Sequence, residues 1–303
     1  VKKRKPIQNP DAGGGLALFP LGTAGDWYRL LRIDRPVGYW LLLWPTLWGL
    51  LAASHGHPSL KNTLVFVSGV FLMRSAGCVI NDFADRHFDP HVERTRQRPV
   101  AAGRIAPGAA LMGFAGLLLL ALLLVLQTTP LVVVLAFAGA ALAIIYPFLK
   151  RFIHFPQAWL GMAFGWGAVM AWAAEAGSVT DSPVPWLLFA ANICWSLSYD
   201  TAYAIGDRAD DARIGVKSTA LWFGDGVVTA VILLGAGMLF FLALAVWLHG
   251  LVAWPGWALA AAWQVFLFYS LARHGEDWGL RFFLLSHWTG ALMALGFLLP
   301  VRA

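Results

Sequence analysis

Nine stretches of this chain, at 37–54, 63–80, 108–126, 131–148, 158–174, 185–205, 227–248, 251–272 and 282–299, run for 17 to 22 residues and hold between them two charged side chains, Arg74 and Asp200. Hydrocarbon about 30 Å thick, climbed at about 1.5 Å per residue, takes about 20 mainly apolar residues to cross. Backbone amides in lipid have no water to bond, so such segments close their hydrogen bonds internally, as helices. The expected fold is an all-α integral membrane protein with nine transmembrane helices in a lipid bilayer. Charged residues make up 13% of the chain, against about 25% in an ordinary soluble domain. Residues 1–25 are rich in Gly, Pro and Lys, without helical periodicity, and are expected to form a flexible tail. Residues 26–303 are expected to form one membrane domain. The basic run Lys2, Lys3, Arg4, Lys5 has no apolar core of about 7–15 residues behind it, so a cleavable signal peptide is not expected.

Charge orients the bundle. Arg29, Arg32 and Arg35 precede the first segment. Arg86, Arg94, Arg96, Arg98 and Arg104 follow the second, Lys150 and Arg151 the fourth, Arg208, Arg213 and Lys217 the sixth, and Arg273 and Arg281 the eighth. The opposite loops hold Lys61 alone before the C-terminal Arg302. The positive-inside rule then places the N-terminus on the cytoplasmic side of the inner membrane. The net charge of +6 reads as a topology signal and as an anionic-substrate signal. No basic stripe alternates with stacking aromatics, so no nucleic-acid partner is expected. Of the sixteen Trp, many lie near segment ends, where the amphipathic ring suits the interface. Trp166 and Trp172 are interior and are candidates for stacking on substrate. Cys78 and Cys194 lie in apolar runs and read as small buried hydrophobes.

Acidic residues are scarce, and seven of the sixteen fall in two clusters: Asp82, Asp85 and Asp89 after the second segment, and Asp200, Asp207, Asp210 and Asp211 at the sixth. Charge near a bilayer is expensive, about 2.5–3.5 kcal/mol per group at a helix centre, so the clusters need a reason. If each helix continues through its cluster, Asn81, Asp85 and Asp89 share one face, as do Asp200, Asp207 and Asp211. Like charges at this spacing repel, and a divalent cation reverses the repulsion. Mg²⁺ takes hard oxygen ligands and bridges one or two carboxylates to substrate phosphates. Two such faces opposed across a cavity would hold a diphosphate through Mg²⁺. Both clusters follow even-numbered segments, hence both lie on the cytoplasmic side.

Basic residues complete the pattern. Arg74 lies seven residues before Asn81, inside an apolar run, and needs an anionic partner such as a motif carboxylate or the diphosphate. Arg94, Arg98, Arg208 and Lys217 flank the motifs, and guanidinium forks suit phosphate oxygens. His87 and His91 beside the first cluster read as solvated.

These residues resemble the UbiA family of intramembrane prenyltransferases, in its 4-hydroxybenzoate branch. The family's N-D-x-x-D-x-x-x-D motif is met by Asn81, Asp82, Asp85 and Asp89, and the match runs on through Glu93, Arg94 and Thr95 to Arg98 and Pro99. The D-x-x-x-D motif is met by Asp207 and Asp211. Residues 32–38, 41–48, 146–151, 199–204 and 214–220 also look like that branch, and the close resemblance spans about 29 to 224. It implies nine helices around a central cavity that opens laterally to lipid, with the two Asp-rich motifs on cytoplasmic cap segments. It implies Mg²⁺-dependent transfer of a polyprenyl group from polyprenyl diphosphate to 4-hydroxybenzoate. Asn81, Asp85, Asp207 and Asp211 are then expected to hold Mg²⁺, with Asp82 and Asp89 in support. Asp200 or Asp207 orients the phenol or takes the ring proton. Arg151, Lys150 and Arg35 are the candidates for the substrate carboxylate.

Another aromatic acceptor is an alternative within the family. A cation-coupled transporter is the alternative outside it, and predicts acids near the midplane on broken helices; here they gather at one face.

Overall fold

A computed structural model describes residues 18–92, 95–149, 152–153, 155–208, 212 and 217–299. Among these residues there is no strand. The helices are α1 (Ala24–Leu30), α2 (Val37–Ala53), α3 (Leu60–Ala84), α4 (Pro107–Val125), α5 (Pro130–Leu149), α6 (Pro156–Ala176), α7 (Val184–Ala204), α8 (Thr219–Phe223), α9 (Val227–His249), α10 (Trp254–His274) and α11 (Gly279–Phe297). Nine of those described have 17 residues or more, and each overlaps one expected segment. Five helical stretches among the described residues are long and apolar enough to cross a membrane by length and composition: Leu60–Ala84, Pro107–Val125, Pro130–Leu149, Thr219–His249 and Trp254–Phe297. The last includes both α10 and α11. Helix α2 is apolar but shorter.

The chain divides into two compact units. One comprises the chain up to Pro36 with Phe71–Leu123; the other comprises Val37–Val70 with Leu124–Ala303. Of the three boundaries, Val70/Phe71 and Leu123/Leu124 fall inside α3 and α4, and Pro36/Val37 falls at the start of α2, so the two inside helices are not linkers that a composition shift would mark.

In the larger unit α2 packs on α6, α6 on α7, α7 on α9, α9 on α10 and α10 on α11, while α11 returns to α2 and α7. Lipid offers no hydrophobic drive for one helix to leave it for another, so small residues and polar bonds hold membrane helices together. Gly49 of α2 lies so close to α6 that a β-carbon there would collide with the Ala168 carbonyl, and Gly256 of α10 meets Gly296 of α11 in the same way. Asn192 Nδ2 donates to Gly161 O (2.9 Å), Ser198 Oγ to Val231 O (2.8 Å) and Thr289 Oγ1 to Gln264 Oε1 (2.8 Å).

The tryptophans add a device the sequence did not suggest. Trp48 donates its indole N–H to Gly290 O (2.9 Å), Trp159 to Leu142 O (2.8 Å), Trp166 to Leu135 O (2.7 Å), Trp257 to Leu239 O (3.0 Å) and Trp263 to Leu285 O (3.2 Å). Each bond ties one helix to the backbone of another. Trp166, a candidate for stacking on substrate, ties α6 to α5 here, and Trp172 is buried in the core.

Gly49→Ala is expected to destabilise the larger unit by about 1–3 kcal/mol, the usual cost of overpacking. Gly69→Ala is the control, because its added β-carbon would meet nothing within 4 Å. A lowered thermal midpoint in detergent for the first and not the second checks the α2–α6 contact.

In the smaller unit Leu30, Val79, Val100, Ile105, Ala106, Ala109 and Ala110 form a core with Trp27 packed against it. Helix α1 begins inside the stretch expected to be a flexible tail. Thr23 caps it in a capping box with Asp26, and Ala106 N donates to Pro20 O (2.8 Å). Residues 1–17 lie outside the described residues.

Candidate active site

The first acidic motif sits at the C-terminal end of α3. The helix ends at Ala84 and does not run through the motif, as the face argument supposed. The i→i+4 bonding nevertheless survives: Asp85 N donates to Asn81 O (2.9 Å) and Asp89 N to Asp85 O (2.9 Å). Phe88 N also reaches Asp85 O (2.8 Å), which tightens the chain into the 3₁₀ turn Asp89–His91. Asn81 and Asp85 are half-buried, Asp82 and Asp89 buried, and His87 and His91 exposed.

Arg98 gathers the three carboxylates. Its Nη1 lies 3.0 Å from Asp89 Oδ2, 3.3 Å from Asp82 Oδ1 and 4.0 Å from Asp85 Oδ2. Arg32 Nη2 donates to Asp82 Oδ1 from the other side (2.6 Å). Asp82 is 0% exposed, so it is paired with two cations in a place where an unpaired charge would be very costly. Arg32 adopts a left-handed backbone at φ 62°, a conformation that costs a non-glycine residue about 1–3 kcal/mol. Its guanidinium bonds to Arg29 O (2.7 Å) and Asp82 together are what the strain secures. In the sequence Arg32 stands out only as a topogenic charge and as part of the 32–38 match. Nothing in its spacing pointed to Asp82, fifty residues away.

Burial raises the Asp89 carboxyl to about 6, against the pull of Arg98 and with the repulsion of Asp85 and Asp82 added. Burial opposes the charge on Arg98, but Asp82, Asp89 and Asp85 together hold its pKa above the ordinary value.

The loop that carries Arg98 is anchored to α1. Arg104 Nε donates to Asp26 Oδ1 (2.7 Å) and its Nη2 to Gln97 O (2.6 Å). Asp26 also accepts from Thr23 N (3.0 Å). The backbone and hydroxyl of Thr23, and then Arg104, hold its carboxyl below the usual value. A depressed carboxylate stabilises the fold above its unfolded pKa of about 3.9 and loses that contribution as pH falls through the native value. The gap in thermal midpoint between wild type and Asp26→Asn, present at neutral pH, is therefore expected to close below about pH 4. Midpoints measured from pH 7 to 3 check it.

The second motif lies at the end of α7. Asp200 is half-buried on the helix, which gives way to the 3₁₀ turn Ile205–Asp207. Ile205 is buried against Ala204, Ala220 and Val227, and Asp207 is half-buried. Asp210 and Asp211 lie outside the described residues, as do Arg94, Lys150 and Arg151. Arg208, a candidate for the diphosphate, donates to Glu276 Oε1 (3.0 Å) and Gly224 O (2.8 Å). Lys217 Nζ donates to Phe152 O (3.2 Å). Arg35 is exposed, 3.7 Å from Asp34, and Arg74 is half-buried on α3.

Among the described residues no three His, Cys, Asp or Glu side chains form a ready metal cage. Mg²⁺ does not need one, since it keeps waters and shares its shell with substrate phosphates. The donor chemistry fits: Asn81, Asp82, Asp85 and Asp89 offer only hard oxygens as acceptors. Among the described residues, buried Asp82 Oδ2 has no hydrogen-bond partner, an acceptor suited to a cation.

The family model for the UbiA prenyltransferase family matches residues 42–297. A 4-hydroxybenzoate octaprenyltransferase of Nitrosococcus oceani is 50% identical, over 88% of this chain and 93% of its own. One from Ectopseudomonas mendocina is 47% identical, over 91% and 93%. Among solved structures, a UbiA homolog from Aeropyrum pernix K1 superposes with a TM-score of 0.75 at 24% identity, over 86% of this chain and 96% of its own. A UbiA homolog from Archaeoglobus fulgidus bound to GPP and Mg²⁺ superposes with a TM-score of 0.66 at 17% identity, over 90% and 99%.

Proposed function

Because this chain belongs to the UbiA prenyltransferase family, we propose that it moves a polyprenyl group from polyprenyl diphosphate to the ring carbon ortho to the hydroxyl of 4-hydroxybenzoate, a step of ubiquinone biosynthesis. The observation that carries this reading is near-half identity to 4-hydroxybenzoate octaprenyltransferases along nine-tenths of the chain. The clustered carboxylates of the first motif support the metal chemistry it requires.

Asn81, Asp85, Asp207 and Asp211 would hold Mg²⁺, with Asp82 and Asp89 in support. When bound, Mg²⁺ supplies a Lewis acid for the charge that develops on the departing diphosphate. Arg74, Arg94 and Lys217 add cationic side chains for its oxygens. The allylic C–O bond breaks and its electron pair leaves with diphosphate. The chain's apolar helices keep water from the allylic cation, and aromatic faces stabilise it. The phenol ring forms the new C–C bond and then loses its ring proton. Asp200 or Asp207 orients the phenol or takes that proton, and Arg151, Lys150 or Arg35 binds the carboxylate. The positive loops support a site on the cytoplasmic face of the inner membrane.

Purified protein in lipid, given 4-hydroxybenzoate and a short prenyl diphosphate, is expected to form 3-prenyl-4-hydroxybenzoate with Mg²⁺ and none with EDTA. Diphosphate release without that product would point to a different acceptor. No release from folded protein would overturn the reading.

A further inference from the structure

We infer that Glu276 is a positioning residue for the second acidic motif: its carboxylate fixes Arg208, and through it the 3₁₀ turn that carries Asp207. The inference rests on the proposed function in one respect, the assignment of Asp207 to Mg²⁺.

Glu276 belongs to none of the motifs. It lies 68 residues beyond Arg208, in the turn Gly275–Trp278 between α10 and α11. The two side chains meet at 3.0 Å. The second arm of the Arg208 fork donates to Gly224 O at 2.8 Å, just ahead of α9. One guanidinium thus ties the residue next to Asp207 to the turns that precede α9 and α11. A guanidinium presents its donors in a rigid plane, so two bonds set its orientation, which a single flexible ammonium would not do.

The backbone around the turn is held on the same side. A β-carbon on Gly279, the first residue of α11, would collide with Ala202 O and touch Ile205. The start of α11 is therefore pressed against the end of α7. Ile205 is buried on the other side by Ala220 and Val227. Glu276 and Gly224 hold the polar edge of the turn through the side chain next to Asp207.

The pair is ill suited to a role in stability. Glu276 is 47% exposed, and exposed ion pairs stabilise little because water screens them and ordering two side chains costs entropy. Such a bond does bias which way a short turn faces. That is the property a carboxylate needs when it must meet a metal of strict octahedral geometry. Arg208 is accordingly assigned to the turn and not to the diphosphate.

Glu276→Gln keeps the shape and removes the charge. In metal-free protein, amide exchange over 205–208 is expected to quicken about two- to fivefold, the scale of one lost exposed ion pair, while the thermal midpoint stays unchanged. In the transfer assay the half-saturating Mg²⁺ concentration is expected to rise by a similar factor, with kcat at saturating Mg²⁺ close to wild type. In an Arg208→Gln background Glu276→Gln is expected to add nothing, the non-additivity that marks a shared interaction. The same shift in both backgrounds would overturn the inference, as would unchanged exchange and unchanged Mg²⁺ dependence in the single variant. A wild type that transfers no prenyl group would overturn the functional reading and the metal-positioning role with it. The exchange cycle would still report whether Glu276 acts through Arg208, so the two failures are distinguishable.

Discussion

Asp85→Asn and Asp207→Asn are each expected to cut prenyl transfer by at least about 10²–10³-fold, the scale set by losing one preorganised charge contact to a departing anion. Asparagine keeps the volume and one carbonyl oxygen of aspartate but removes the negative charge proposed to bind Mg²⁺. Asp85 lies at the end of α3 with its amide still bonded to Asn81 O at 2.9 Å. The substitution therefore leaves the backbone turn in place, and folding should be retained. Asp85 is also the most distant from Arg98 of the three carboxylates around it, at 4.0 Å against 3.3 and 3.0 Å. The measurement is turnover with saturating prenyl diphosphate across a range of Mg²⁺, beside a thermal midpoint to show intact protein. Near-normal turnover in both variants would falsify the metal assignment.

Arg98→Met is expected to destabilise the smaller unit by about 3–5 kcal/mol, the usual cost of breaking a buried pair by deleting one partner. The side chain answers three carboxylates within 4.0 Å. Removing it leaves Asp82, which is wholly buried, with Arg32 as its remaining ion-pair partner among the described residues, and leaves Asp89 with none among them. Two further variants separate charge from packing. Arg98→Lys keeps the charge but not the planar fork and is expected to recover only part of the loss. Asp89→Asn placed on Arg98→Met removes one orphaned charge and is expected to recover some as well, a coupling that two independent sites would not show. Added Mg²⁺ is expected to raise the midpoint of Arg98→Met by more than that of wild type, since a divalent cation answers the same carboxylates. Equal midpoints for wild type and Arg98→Met would show that the cluster is solvated and that Arg98 gathers nothing.

The sequence by itself determined the helical, membrane-embedded class, the nine apolar segments and the identity of the motif residues. Each of these is local information. A run of about 20 apolar residues has only one way to satisfy its backbone in lipid, and acids at i, i+4 spacing remain neighbours while the chain keeps bonding four residues back. Asn81, Asp85 and Asp89 show this, for their backbone bonds persist where α3 has formally ended. Which cation serves which anion was decided only by tertiary structure. Arg32 and Asp82 are fifty residues apart, Arg104 and Asp26 seventy-eight, and Arg208 and Glu276 sixty-eight. No periodicity links such pairs. A guanidinium can bind diphosphate, carboxylate or carbonyl with equal chemistry, and residue type does not choose among them. The packing of the elements that bring the partners within reach does, and it took Arg98 to three carboxylates, Arg208 to Glu276 and Trp166 to the backbone of α5.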